Sequence, residues 1–214
     1  MHPVDETMTA PPGRRQRARR GQGDRLREEI LDATSALLLE RGDHQAVDIR
    51  SVCQVVGITP PAVYLHFADK AALIQATCER HFRSLDDFVG AAVAGATDPM
   101  DELRCRGRAY VRFGIEHPEQ YRILFMSRQA HGKEPPGGEL LEACGFAALV
   151  DNVTRLVEAG AIGHHDPVLV ATGLWTVVHG VTSLAISIPH YPVTGLDALL
   201  EHLLGTHMRG LAGP

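Results

Sequence analysis

A chain of 214 residues is long enough for one large or two small domains with a sizeable buried core. At 44% hydrophobic and 22% charged residues it has a globular composition, which excludes a chain disordered throughout. The net charge of −5 is unevenly placed: residues 1–85 carry 12 Lys and Arg against 11 Asp and Glu, and residues 86–214 carry 9 against 15.

Taken in chain order, residues 1–23 read as a flexible basic arm, with Arg14, Arg15, Arg17, Arg19 and Arg20 crowded together. A basic knot ahead of an acidic body marks a local site for a polyanion. Asp24 is placed to cap a first helix in which Leu26, Ile30, Ala33 and Leu37 recur at helical spacing, stopped by Gly42. Asp48 caps a short second helix ending at Gly57, and Thr59 with Pro60 opens a very short third. The fourth helix runs from about Lys70 to about Ala94. Asp98-Pro99 opens a fifth, which ends or kinks at His117-Pro118, and Pro118 starts a sixth that reaches about Ser127. A Gly/Pro-rich loop spans His131 to Gly138, and a seventh helix follows from Glu139 to Ala159.

Asp166-Pro167 opens a long eighth helix, terminated by Pro189. Its segment Val168–Ile188 carries no Asp, Glu, Lys or Arg over 21 residues, a length that can span a bilayer. Eight of those residues are Thr, Ser, Gly or His, and His179 sits near the middle, so a helix buried all round inside protein is the expectation. Thr194 and Asp197 make a capping box for the ninth helix, along which Leu196, Leu199, Leu200, Leu203 and Leu204 form an apolar stripe. The expected fold is all-α, with about nine helices. The four cysteines (Cys53, Cys78, Cys105, Cys144) form no C-x-x-C pair, and no secretory segment follows the N-terminus. Free thiols, a cytoplasmic location and no membrane partner are expected.

The strongest local signal lies between Asp48 and Phe67. Two short helices meet at Gly57, with Val52, Val56, Ile58 and Val63 placed to pack them at a steep angle and Cys53 small enough for close approach. This is the spacing of a helix-turn-helix whose second helix enters the major groove of DNA. Here the sequence resembles the TetR family of bacterial transcription regulators. The resemblance rests on Ile49 to Thr59 and on Pro60-Pro61-Ala62-Val63-Tyr64-Leu65-His66-Phe67, followed by Asp69-Lys70 and Leu73. Cys53 stands where Ala is usual in that family, and Asp48 where Thr is usual. Farther along, His117-Pro118-Glu119-Gln120-Tyr121 and Trp175…His179-Gly180 resemble the subgroup named for a Trp-His-Gly motif.

The resemblance implies a helix-turn-helix domain over residues 24–69 and a ligand-binding and dimerisation domain over residues 70–214. It implies a homodimer formed through helices eight and nine, a double-stranded operator as partner, and a small-molecule effector. Tyr64, His66 and Lys70 are candidates for phosphate contacts, with Arg50 beside them on the second helix. Thr59, Pro60, Pro61 and Ala62 approach the base edges, where apolar contact and shape reading are favoured because three of the four lack a side-chain donor. The arginine arm is assigned non-specific phosphate attraction. Candidate ligand contacts are Tyr110, Phe113, Tyr121, Phe125, Trp175 and His179, the last two sharing a face at i, i+4.

No catalytic or metal-ligand constellation is legible and no cofactor is implied: there is no H-E-x-x-H, P-loop, G-x-S-x-G or G-x-G-x-x-G. The reading is a sequence-specific regulator, a repressor released from a pseudopalindromic operator by a ligand. The rivals are a ligand-independent architectural DNA binder and an all-α enzyme.

Overall fold

The first helix, α1 (Gln22–Arg41), turns Ile30, Leu31, Ala33, Leu37 and Leu38 inward, as their spacing requires. Thr34 is fully buried on the same helix, and its hydroxyl is satisfied by donating to the Ile30 carbonyl at 2.8 Å. The computed structural model describes residues 22–126, 145–188, 190–191 and 195–212; the arginine knot and the Gly/Pro-rich loop lie outside them. The chain divides into two compact units, Met1–Thr77 and Cys78–Pro214. That division falls inside the fourth helix rather than at its start, because Leu73, Ile74 and Thr77 in its first turns are buried with the first unit.

In the first unit α2 (Ile49–Val56) is capped by Asp48, whose side chain accepts from the Ser51 N–H at 2.8 Å. The helix ends at Gly57 with φ 74°, a left-handed position that a Cβ would strain. Ile49, Val52 and Cys53 are buried on α2, and Val63 on α3 (Pro60–Tyr64) meets them with no exposed surface. α4 (Lys70–Val93) follows after Asp69, which accepts from the Ala72 N–H at 2.8 Å.

The second unit holds the end of α4, then α5 (Pro99–Glu116), α6 (Pro118–Tyr121), α7 (Phe146–Glu158), α8 (Pro167–Ser187) and α9 (Leu196–Leu211). That makes nine α-helices among the described residues. Asp98 and Asp166 cap α5 and α8 ahead of their prolines, as the sequence signals. α8 packs against α5, α7 and α9. Asn152 on α7 donates to the Pro99 carbonyl at 2.9 Å, tying α7 to the start of α5. Two glycines let α5 come close to its neighbours. A Cβ at Gly107 would lie 3.2 Å from Leu204, and one at Gly114 would lie 2.2 Å from Thr182.

Several boundaries differ from the sequence reading. α1 starts at Gln22, so Asp24 sits inside its first turn instead of capping it. The sixth helix widens into a π-helical turn over Arg122–Met126, which regular periodicity does not signal. The seventh helix was expected to pass through Gly145, but Gly145 has φ 66° and stands immediately before α7. Thr194 lies outside the described residues, and the residue before α9 is Gly195, with no side-chain cap.

α8 is not buried all round. It passes the length and composition test for a membrane-crossing helix, yet it buries one face only: Val170, Ala171, Leu174, Val178, Val181 and Thr182. Val168, Leu169, Leu184 and Ile188 are exposed. The leucine stripe of α9 divides similarly, since Leu200 and Leu204 are buried inside the chain while Leu203 borders a groove with Val177 and His207. Cys53 and Cys78 are free and buried, and burial pushes the Cys78 thiol up to about 11.

The close approach at Gly114 gives a direct test. Gly114→Ala should destabilise the protein by about 1–3 kcal/mol in urea melts, because Thr182 and Tyr121 must shift to admit the methyl group. Gly90→Ala, which meets nothing within 4 Å in a helix interior, should instead stabilise by about 0.5–1 kcal/mol.

Candidate nucleic-acid interface and ligand cavity

The candidate interface lies wholly in the first unit. Thr59, Pro60, Pro61 and Tyr64 are exposed, and Ala62 and His66 are half-buried, so the short α3 and the turn after it present the predicted residues outward. Thr59 makes no side-chain capping bond, which leaves its hydroxyl for an outside partner. Val63 and Phe67 face inward and fix the helix, with the Arg27 guanidinium 5.2 Å from the centre of the Phe67 ring. Arg50 is exposed on α2.

Lys70 has a second duty. Its ammonium donates to the Gln45 carbonyl at 2.9 Å, holding the start of α4 to the loop before α2. Asp48 is engaged in the same framework, bonded to Ser51 and 3.8 Å from the Arg41 guanidinium. The Ser51 N–H is the main cause that holds the Asp48 carboxyl below the usual carboxylate range. Leu65 escaped the sequence reading; at 83% exposure it is a large apolar side chain standing out between Tyr64 and His66. The signal was present, because Leu65 sits between two candidate contacts and is not needed by the core spacing.

The candidate ligand site lies wholly in the second unit, as a cavity of about 310 Å³ walled by α4, α5, α7, α8 and α9. Leu85, Val89, Leu103, Phe146, Leu149 and Leu174 make most of its wall apolar, as ligand pockets commonly are. Of the six residues proposed from sequence, Tyr110 and Trp175 line it. Phe113, Tyr121, Phe125 and His179 do not line it. Phe113 packs against Phe88 and His117, whereas Tyr121, Phe125 and His179 form a layer with Tyr110 and Trp175.

That layer is joined by hydrogen bonds. The Trp175 Nε1–H donates to the Tyr110 hydroxyl at 3.3 Å, and the Tyr110 and Tyr121 hydroxyls lie 3.1 and 2.7 Å from His179 Nδ1. Burial lowers the pKa of His179, favouring the neutral imidazole; in the tautomer with its proton on Nε2, Nδ1 accepts from the tyrosines. Burial, and then the neighbouring Tyr110, hold the Tyr121 proton on by raising its pKa. Phe125 packs against the group, tilted to Tyr121 at 4.9 Å and edge-on to His179 at 5.1 Å between ring centres.

The sequence reading missed the polar end of the cavity, made by Asp86 on α4 and Arg106 on α5. Arg106 Nη2 and Arg155 Nη2 both donate to Glu102, at 3.0 and 2.7 Å. Although burial opposes it, those bonds hold the Glu102 carboxyl below its usual range. The Arg106 Nε–H is buried with no hydrogen-bond partner among the described residues. Burial, then Asp87, push the Asp86 carboxyl up to about 6, while Arg106 opposes the shift. In the sequence, Glu102 and Arg106 stand at a visible i, i+4 spacing, but nothing marks Asp86 as their neighbour across two helices.

An apolar cavity and an outward-facing two-helix head, each in its own compact unit, are the parts expected of a helix-turn-helix regulator. Comparison with known families agrees. Residues 30–77 match the model described as "Bacterial regulatory proteins, tetR family" and residues 103–207 match "Tetracyclin repressor-like, C-terminal domain". The chain belongs to the TetR family of bacterial transcription regulators. It is 34% identical over 116 residues to the HTH-type transcriptional activator FasR of Mycolicibacterium smegmatis, a match covering 54% of this chain and 52% of that protein. The chain thus spans about half the length of that relative. A structure of a protein of unknown function from Rhodococcus sp. RHA1 superposes with a TM-score of 0.71 at 25% identity, covering 88% of this chain and 96% of that one. A TetR family transcription regulator from Marinobacter aquaeolei VT8 shares the fold, with a TM-score of 0.71 at 18% identity over 92% of this chain and all of that one.

The raised Asp86 pKa has a consequence for stability. A carboxyl whose folded pKa lies above its unfolded value favours the folded state below about pH 4 and loses that contribution as pH rises through about 6. Asp86→Asn should therefore stabilise the protein by about 1 kcal/mol at neutral pH, a figure reduced because solvent still screens half of the group. Thermal melts should show the gain near pH 7.5 and its disappearance near pH 4.

Proposed function

We propose that this chain is a homodimeric, sequence-specific DNA-binding regulator that leaves a pseudopalindromic operator when a small molecule fills the cavity of its second unit. The observation that carries the reading is the outward set of Thr59, Pro60, Pro61, Ala62, Tyr64 and His66 on a rigidly packed α3, in a chain that also holds an apolar cavity. Tyr64, His66 and Lys70 contact phosphates and set the register, while the first turn of α3 reads base edges by shape and apolar contact. Arg50 adds a phosphate contact, and the arginine arm adds attraction independent of sequence.

The dimer forms through the open faces of α8 and α9. Exposed apolar residues on α8 and the groove at Leu203 favour this pairing, and two-fold symmetry then sets half-sites one helical turn or a multiple apart. α4 supplies residues to both units, so occupancy of the cavity wall at Leu85 and Asp86 reaches the DNA-reading head along one continuous helix. Coupling is reciprocal: a ligand that weakens operator affinity tenfold is itself weakened tenfold by operator, about 1.4 kcal/mol. The Trp-His-Gly subgroup, a cytoplasmic location, release as a repressor and the absence of catalysis belong to the same proposal. That the Mycolicibacterium relative is an activator favours a second reading, in which the bound regulator raises transcription instead of blocking it.

The experiment is selection of genomic fragments by the full chain, followed by binding titrations and a transcription assay on the fragment recovered. A double variant, Tyr64→Phe with His66→Ala, should lose roughly tenfold or more in affinity for operator and for random DNA alike, the signature of phosphate contacts. Leu203→Glu should give monomers of unchanged helical content that bind operator poorly. Leu200 is unsuited to that test, being buried inside the chain. Failure to enrich any fragment would overturn the regulator reading, and a bound fragment transcribed more strongly would select the activator reading.

A further inference from the structure

The polar end of the cavity holds a carboxylate with no cation paired to it. Asp86 lines the cavity, and its Oδ1 lies 2.8 Å from the position a Cβ would take at Gly145, another lining residue. The missing side chain at Gly145 leaves the carboxyl its place at the wall. Asp86 has no hydrogen bond or ion pair among the described residues. The nearby guanidiniums serve Glu102 instead, Arg106 at 3.0 Å and Arg155 at 2.7 Å. Arg106 still attracts Asp86, but burial and Asp87 outweigh that attraction and hold its pKa up at about 6. At about pH 7.5 the carboxylate is therefore ionised and under-compensated. The wall it shares receives no charge from α7, α8 or α9.

We propose that the cavity takes an apolar molecule ending in a protonated amine, whose N–H groups donate to the Asp86 carboxylate. Its hydrocarbon body lies against Leu149, Leu174 and Trp175. The inference deepens the effector reading of this cavity and rests on it for its regulatory meaning.

Other head groups fare worse at this corner. A carboxylate would add negative charge beside Asp86, and the one lining cation, Arg106, already gives Nη2 to Glu102. A hydroxyl can donate to Asp86 but brings no charge to balance it. An ammonium donates and balances at once, and such a charge-assisted bond in a largely apolar cavity is stronger than a neutral one.

Trp175 is the single tryptophan of the chain and lines the cavity, so its emission reports occupancy. The full chain is titrated at about pH 7.5 with octylamine, octanol and octanoate, which share a hydrocarbon chain and differ at the head. Octylamine is charged at that pH, because an alkyl ammonium titrates near 10, as that of lysine does. It should shift the emission saturably, with a Kd at least about tenfold below that of octanol and of octanoate. Asp86→Asn removes the charge and keeps the shape. It should weaken octylamine about tenfold or more and change octanol less than about threefold. In the parent, octylamine should also displace the selected DNA fragment. Octanol or octanoate binding as tightly as octylamine overturns the head-group assignment and leaves the cavity as a binding site. An Asp86→Asn variant that binds octylamine as tightly as the parent overturns it as well. Octylamine that binds through Asp86 without displacing DNA leaves the amine site standing and overturns the effector reading. No saturable response to any of the three overturns both.

Discussion

One lone pair organises the second unit. His179 Nδ1 faces two phenol hydroxyls, from Tyr110 on α5 and Tyr121 at the end of α6, so a single nitrogen on α8 ties three helices together. Burial keeps that imidazole neutral, the form that can accept. Were it protonated, Nδ1–H would donate to a phenol oxygen instead, and the Tyr121 hydroxyl would keep only the His179 carbonyl, 3.3 Å away, as acceptor. Trp175 extends the chain of bonds to the cavity wall, and Phe125 packs across it.

Steric room comes from glycine. Gly107, Tyr110 and Gly114 lie along one side of α5, with the glycines admitting Leu204, Val178 and Thr182 on either side of the tyrosine. A side chain at Gly114 would push α5 from α8, and the phenol would fall short of His179. Tyr110 and Trp175 carry the aromatic layer to the cavity wall, whose polar end is made by Asp86 and Arg106.

Much of this was legible because the signals are local. Asp48, Asp98-Pro99 and Asp166-Pro167 start helices by bonds made within one turn, and Gly57 ends α2 by its own backbone conformation. The outward set on α3 followed from the spacing of Val63 and Phe67, which had to face inward. Other features depend on contacts between distant segments. Sequence composition does not reveal that α8 leaves Leu169 and Leu184 uncovered, because which face is buried depends on the helices packed against it. The chemistry of aromatic side chains suggests ligand contacts, yet Phe113 and Tyr121 are fully buried and do not line the cavity. Asp86 and Arg106 read as ordinary charges until α4 and α5 are brought to the same cavity.

The claim that His179 is the shared node can be tested by a double-mutant cycle on Tyr110→Phe and Tyr121→Phe, read as unfolding free energy in urea. Either tyrosine alone still satisfies Nδ1, so each single variant should cost about 1 kcal/mol or less. Removal of both leaves a buried acceptor with no donor, and the double variant should exceed the sum of the singles by about 1 kcal/mol. Additivity within about 0.5 kcal/mol would contradict the account, because it would mean the two hydroxyls do not share an acceptor.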